Sequence, residues 1–268
     1  MPGSRRLSRR ALLLGLGAFT LGEWILGGRA VATAVTRTSG YRVDISMLWG
    51  VVRYSLTGSM EEDVDAESGR YRVLITGTGT GVSSRVEARG LFDEGRYRPL
   101  EMKSIHSLAG RESWLSITYD YDRGLVDYHA VGHTLMLGRR RQVDDLVRLP
   151  AGRVVDDAVS VALNLAANHL ERDPTGNYQT LLVRRTRPPS EGPDDVTPGA
   201  YRVEVVPFQF RVEPDTRTGK LVARVDMSGW SSWARADQPA HLVFTPDRRV
   251  ESIETRLQFG SVARMQLT

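Results

Sequence analysis

Arg70-Tyr71-Arg72-Val73-Leu74-Ile75-Thr76-Gly77-Thr78-Gly79-Thr80-Gly81-Val82-Ser83-Ser84-Arg85-Val86-Glu87-Ala88-Arg89 is the stretch that decides the fold. It opens on alternation, the mark of a half-buried strand. The glycine run that follows invites comparison with a phosphate-cradling loop. Such a loop follows a strand and opens a helix, whose N-terminus supplies the field and the N–H donors. Here Val82 to Arg89 alternates again, so a second strand follows and nucleotide binding is set aside. Gly77, Gly79 and Gly81 fall at period two on one face, a strip without side chains that permits sharp bending or close approach. We expect it to bend the sheet around a helix.

The same alternation recurs on either side, in 41–47, 201–205 and 251–257. Further strands are expected at 50–58, 112–120, 124–130, 133–138, 179–186, 208–213, 220–227 and 241–245. Turns fall at Asp122-Arg123-Gly124, Asp215 to Gly219 and Pro246-Asp247. Many short strands with short connections imply an antiparallel sandwich or barrel. One segment breaks the pattern. Residues 155–171 carry Asp156 and Asp157 as caps and Val159, Ala162, Leu163, Ala166 and Leu170 on a helical face. Val161, Leu165 and Ala167 make this helix apolar over much of its girth, so it belongs inside a sheet. The run 187–199, rich in Pro and Gly, reads as a long loop. The expected fold is mainly β: a curved antiparallel sheet, a half-barrel or open barrel, wrapped around one buried helix.

The 268 residues carry 36 Lys+Arg against 32 Asp+Glu, and no Cys. The missing Cys excludes disulfides, thiolate nucleophiles, cysteine zinc sites, iron–sulfur clusters and lipoprotein anchoring. The positive balance belongs to residues 1–34. These open with Arg5, Arg6, Arg9 and Arg10, continue through an apolar run from Ala11 to Gly28 broken by Glu23, and end in small residues at Ala30 to Ala34. That is the layout of a secretory signal peptide. Ser8-Arg9-Arg10-Ala11-Leu12-Leu13 looks like a twin-arginine export motif, whose Arg9-Arg10 pair is read by an export receptor. An uncleaved N-terminal anchor is the alternative, though Glu23 and five glycines are poor hydrocarbon material. Without this leader the chain has 31 basic and 31 acidic residues. That removes the cation surplus a nucleic-acid binder needs. The expected product is one β-rich domain over 35–268, periplasmic or otherwise extracytoplasmic, without nucleic acid and without a transmembrane span.

Candidate chemistry is sparse. His129 and His133 have metal-like spacing, but that spacing works on a helix and they lie in a strand-like segment, so no metal is assigned. Asp63 to Gly69 fails calcium-loop geometry and reads as an acidic hairpin tip. Asp120 and Asp122 could do acid–base work but flank a turn. The dense set Arg139, Arg140, Arg141, Arg148 and Arg153 is faced by Asp144 and Asp145 and reads as a balanced, solvated loop. No catalytic residue and no cofactor is assigned. Trp49, Trp114, Trp230 and Trp233 are the candidate liners of an apolar ligand cavity.

Trp233 to Phe244, Arg249-Val250-Glu251-Ser252-Ile253 and Leu257-Gln258-Phe259-Gly260-Ser261-Val262 together resemble the bacterial envelope family called domain of unknown function 3108. The helix near Asp157 to Leu170 and the opening Tyr41-Arg42-Val43 strand fall where that family has them. The resemblance implies a β half-barrel like those of periplasmic lipoprotein carriers and, by analogy, something apolar in its concavity. The expectation is therefore an exported envelope protein that binds or carries a lipid-like hydrophobic molecule. The alternatives are a periplasmic hydrolase-type enzyme and a ligand-free structural envelope protein.

Overall fold

Alternation becomes hydrogen-bonded sheet almost throughout. The structure, a computed structural model, describes residues 35–268 except 66, 94, 187, 189 and 190, so the expected leader with Arg9 and Arg10 lies outside the described residues. Eight long strands come first: β1 (Val35–Met47), β2 (Val52–Asp65), β3 (Arg70–Gly79), β4 (Val82–Asp93), β5 (Arg96–Leu108), β6 (Arg111–Asp120), β7 (Leu125–His133) and β8 (Arg140–Arg148). Then follow α1 (Ala158–Ala166), β9 (Glu171–Arg172), β10 (Tyr178–Arg185), β11 (Val203–Phe210), β12 (Val212–Pro214), β13 (Leu221–Val225), β14 (Ala240–Phe244), β15 (Val250–Arg256) and β16 (Val262–Leu267). Thirteen strands form one sheet in the order β12-β13-β14-β15-β16-β1-β2-β3-β4-β5-β6-β7-β8, every neighbour antiparallel. It is curved and does not close, since β12 and β8 remain edges.

The concave side is filled by the chain itself. β9, β10 and β11 form a second sheet whose register puts Leu181, Val183, Val203 and Val205 on one face and Tyr178, Phe208 and Phe210 on the other. The first face packs on Ile117, Tyr119, Val126, Tyr128 and Val143 of β6–β8. The second packs on Ala223, Val225 and Phe244 of β13 and β14, together with Leu165 of α1. The small sheet is thus apolar on both sides and joins the two ends of the large one. Pro207 is tolerated in it because β11 is an edge strand. Pro99 sits mid-sheet in β5, where a register shift between Arg89 and Gly90 makes room.

Several expectations change. The helix is shorter than 155–171. Asp157 caps it through its side chain on Ser160 N, at 2.7 Å, while Val155 lies outside it and Asp156 bridges to Leu182. Asn168, in a left-handed conformation, ends it. The helix shares the interior with the β9–β11 sheet rather than occupying it alone. Residues 140–148, read as a loop, form β8, and 133–138 is the end of β7 with a turn. The strands expected at 201–205 and 208–213 fall in β11, which runs on through Pro207, and in the short β12. The glycine strip faces strands, not the helix: a Cβ at Gly77 would lie 2.5 Å from Tyr41 Oη and 2.6 Å from Leu56 Cδ1, and one at Gly58, its partner across the ladder, 1.9 Å from Thr76 O.

Candidate functional site

Because the large sheet is antiparallel, the turns β1–β2, β3–β4, β5–β6, β7–β8, β13–β14 and β15–β16 all lie at one end of the strands, here the upper rim. Apolar side chains stand exposed there. Trp49 is 77% and Val51 81% exposed in the β1–β2 turn; Met136 and Leu137 are exposed at β7–β8, and Phe259 at β15–β16. The turns of the opposite end carry Asp65, Asp122, Asp215 and Asp247 instead. There Asp65 accepts from Glu67 N and Ser68 Oγ, and Asp120 from Arg123 N, the work of turn residues.

The upper turns are held in place, not frayed. Leu48, Trp49 and Phe259 all have positive φ (51°, 56° and 54°), a conformation that costs a non-glycine residue about 1–2 kcal/mol. They persist because the two turns interlock. The Trp49 indole lies over Gly260, where a Cβ would come 2.4 Å from Trp49 Cδ1, and Leu48 N donates to Ser261 Oγ at 3.2 Å. Phe259 meets Trp233 edge-on at 5.8 Å, so Trp49, Phe259 and Trp233 follow one another along the rim. At β7–β8 the Asp194 carboxylate accepts from Met136 N (2.8 Å) and Leu137 N (2.6 Å), fixing both side chains outward.

Below this rim lies a cleft of about 130 Å³ lined by His133, Arg141, Arg185, Ser231, Ser232 and Trp233, with Trp230 also on its wall. Its cations come from two sheets, Arg141 from β8 and Arg185 from β10. Both donate to Glu191, which is buried beside the cleft and is not among its lining residues. Both guanidiniums also lie near the face of Tyr201, at 5.5 and 4.6 Å from its centroid. Among the described residues, two buried N atoms of the lining have no partner, His133 Nδ1 and Trp233 Nε1. A neighbouring open groove of about 940 Å³, lined by Arg184, Glu204, Gly229, Arg235, Asp237 and Gln258, is internally neutralised: Arg184 pairs with Glu204 and Arg235 with Asp237.

The four predicted tryptophans therefore separate. Trp230 and Trp233 meet at the cleft, Trp233 only 7% exposed and Trp230 edge-on to Phe208 at 5.5 Å. Trp49 lies over Gly260, next in the chain to Phe259. Trp114 does not. Its neighbours Ile117 and Tyr119 point inward at odd positions, so Trp114 stands on the convex face beside Ile105 and Val131, with which it is paired. His129 and His133 are not brought together as a metal pair. His129 sits between Asp144 and Asp127 at 2.9 Å each, which raises its pKa, Asp144 contributing most. Sequence reading missed Arg141, Arg185, Glu191 and His133 as a group, since they converge from distant segments. The arginine set read as solvated contributes Arg141 to this interior ion cluster, and Asp145 accepts from Val203 N, tying β8 to β11.

A second polar cluster is buried at the start of α1. Asp156, fully buried, accepts from Arg96 Nη2 (2.5 Å), Ser160 Oγ (3.0 Å), Asn164 Nδ2 (3.2 Å) and Thr180 Oγ1. Asn164 also spans Tyr97, accepting from its N–H and donating to its C=O. The adjacent Asp157 has Oδ2 unpartnered, and burial pushes its pKa up to about 6. Burial likewise raises the phenols of Tyr71 and Tyr121. The contacts of the Asp156 carboxylate knit α1, β5 and β10 together, which is a framework role. Among the described residues no group of three or more His, Cys, Asp or Glu could hold a metal, and no helix is long and apolar enough to cross a membrane.

No family model and no curated protein matches the chain. Among solved structures it is similar to the crystal structure of a beta-barrel-like protein of domain of unknown function 1849 from Brucella abortus, at 11% identity and a TM-score of 0.40, over 89% of this chain and 98% of that one.

Proposed function

We propose that this is an exported envelope protein that engages lipid with its upper rim. The observation that carries the reading is the one-sided placement of Trp49, Val51, Met136, Leu137 and Phe259 on rigid hairpin tips, against acidic turns at the other end. Exposed apolar clusters of this kind mark interaction surfaces. Trp rings suit the polar–apolar boundary of a bilayer. Arg53, Arg111 and Arg140 flank the tips and favour anionic headgroups. The basic, apolar and small-residue layout of residues 1–34 supports export, as does the short-motif resemblance to the envelope family 3108. The ligand expectation thereby moves from the concavity, which β9–β11 and α1 fill, to the rim. Asp120, named for the enzyme alternative, is taken up as a turn acceptor.

The test is sedimentation of the exported protein with lipid vesicles, comparing wild type with the Trp49→Ser/Phe259→Ser double variant. Each buried aromatic is worth roughly 1.5–3 kcal/mol, so with both removed partitioning should fall about a hundredfold or more. Absence of vesicle binding by the wild type would sink the proposal. Replacing Arg9 and Arg10 by Lys should leave precursor in the cytoplasm; unchanged export would assign the leader to the general secretory route.

A further inference from the structure

We infer that the cleft bounded by His133, Arg141, Arg185 and Trp233 is a binding site for a phosphate-type oxyanion. Three independent features converge on it. The first is charge. Two arginines face one carboxylate, Glu191, and among the described residues the cleft wall contains no Asp or Glu, so its lining carries more cations than anions. The second is unmet hydrogen bonding. An indole N–H can only donate. Trp233 Nε1 is buried without an acceptor, and a buried unpaired group costs about 1–3 kcal/mol. His133 Nδ1, on another lining residue, is unpartnered too among the described residues. Neither atom is open to water, so an oxyanion reaches them only as the Trp233 and His133 rings turn toward the cleft, and it then accepts from both. The third is size: about 130 Å³ holds a tetrahedral oxyanion or a few waters and excludes an acyl chain.

The location adds a route. Trp233 is edge-on to Phe259, whose neighbour Gly260 carries the Trp49 ring, so the cleft opens beside the aromatic tips. A phospholipid headgroup arriving at the rim and a free phosphate ion present the same chemistry to these donors. The anion site rests on the lipid reading only for the choice between those two sources.

The test follows the indole N–H signal of Trp233 by nuclear magnetic resonance, assigned by its loss in Trp233→Phe, as inorganic phosphate is added. Trp233→Phe keeps the ring on Phe259 and deletes the donor. Phosphate should shift the indole signal, and calorimetry should find its affinity about tenfold weaker in Trp233→Phe, the loss expected for one charge-assisted hydrogen bond. His133→Leu, which leaves the Glu191 cluster intact, should weaken it as well. No phosphate-dependent shift, or equal affinity in wild type and Trp233→Phe, overturns the inference. Vesicle arms then separate the sources. Displacement from phosphatidylglycerol vesicles by phosphate, with weaker binding to phosphatidylcholine vesicles, assigns the site to a headgroup. Phosphate binding without any vesicle binding keeps the anion site and removes the lipid reading. Vesicle binding without a phosphate response keeps the rim and removes the anion site.

Discussion

Asp157 shows how much one buried carboxyl can contribute to stability at one pH and withhold at another. Its Oδ1 caps α1, its Oδ2 has no donor, and burial lifts its pKa to about 6. A raised carboxyl pKa means that the folded chain holds a proton the unfolded chain has already released. Stability therefore falls as pH rises from about 4 to about 6 and is level above that window. Asn keeps the cap acceptor and carries no charge. Asp157→Asn should gain on wild type by about 3 kcal/mol between pH 4 and pH 7 in urea denaturation. A stability difference that stays constant across this range would show that the carboxyl is already ionised at pH 4 in the folded state. Asp157 was legible as a cap because Asp before an apolar periodic run is a standing signal. Its burial was not, since no local pattern states that Tyr71 and Tyr119 of the large sheet lie near it.

The elements divide the same way. Strands with one wet face were readable: the outer sides of β3, β4 and β5 carry the cross-strand pairs Arg72–Glu87 and Arg89–Glu101, with Lys103 pairing Glu101 along β5, leaving Val73 and Ala88 inward. β8 was not readable, because at the sheet's edge only Val143 of its nine residues is buried and charges flank it on both faces. β5 was hidden by Pro99, where the register shift resets the alternation. Val155, outside the helix, mimicked a helical position because it is apolar and buried. Glycines Gly58 and Gly77 were noticed or inferable only as a missing row of side chains; what needs the space is their own neighbours. The obstacle at Gly58 is backbone and that at Gly77 is the ends of two side chains. Gly58→Ala should thus cost more than Gly77→Ala, with overpacking penalties of about 1–3 kcal/mol. Equal losses on chemical denaturation would mean that β2 and β3 separate as easily as Tyr41 rotates. At the rim, Trp230 and Trp233 stood out by composition alone, whereas Arg141, Arg185 and His133 belong to different strands and no spacing rule unites them.

Across the whole molecule, one apolar cluster serves β6–β8, another serves β13–β15, and the β10–β11 ribbon lies between them with a face in each. Such a ribbon should make the two ends fail together. Phe244→Ala, at a side chain 2% exposed in the second cluster, should cost about 3–5 kcal/mol. It should lower the exchange protection of the slowest amides in β7 as much as in β14. Unchanged protection in β7 would show that the ends unfold independently. The strand order has a further consequence, for the time course of folding. β1 lies inside the large sheet, flanked by β2 and by β16, the last strand in order, with Thr268 N donating to Gly40 O. During synthesis β1 to β8 can zip up hairpin by hairpin, but one side of β1 stays open until β16 leaves the ribosome. Over that interval the nascent chain presents a sticky edge, and a chaperone that shields β1 would guard its weakest moment.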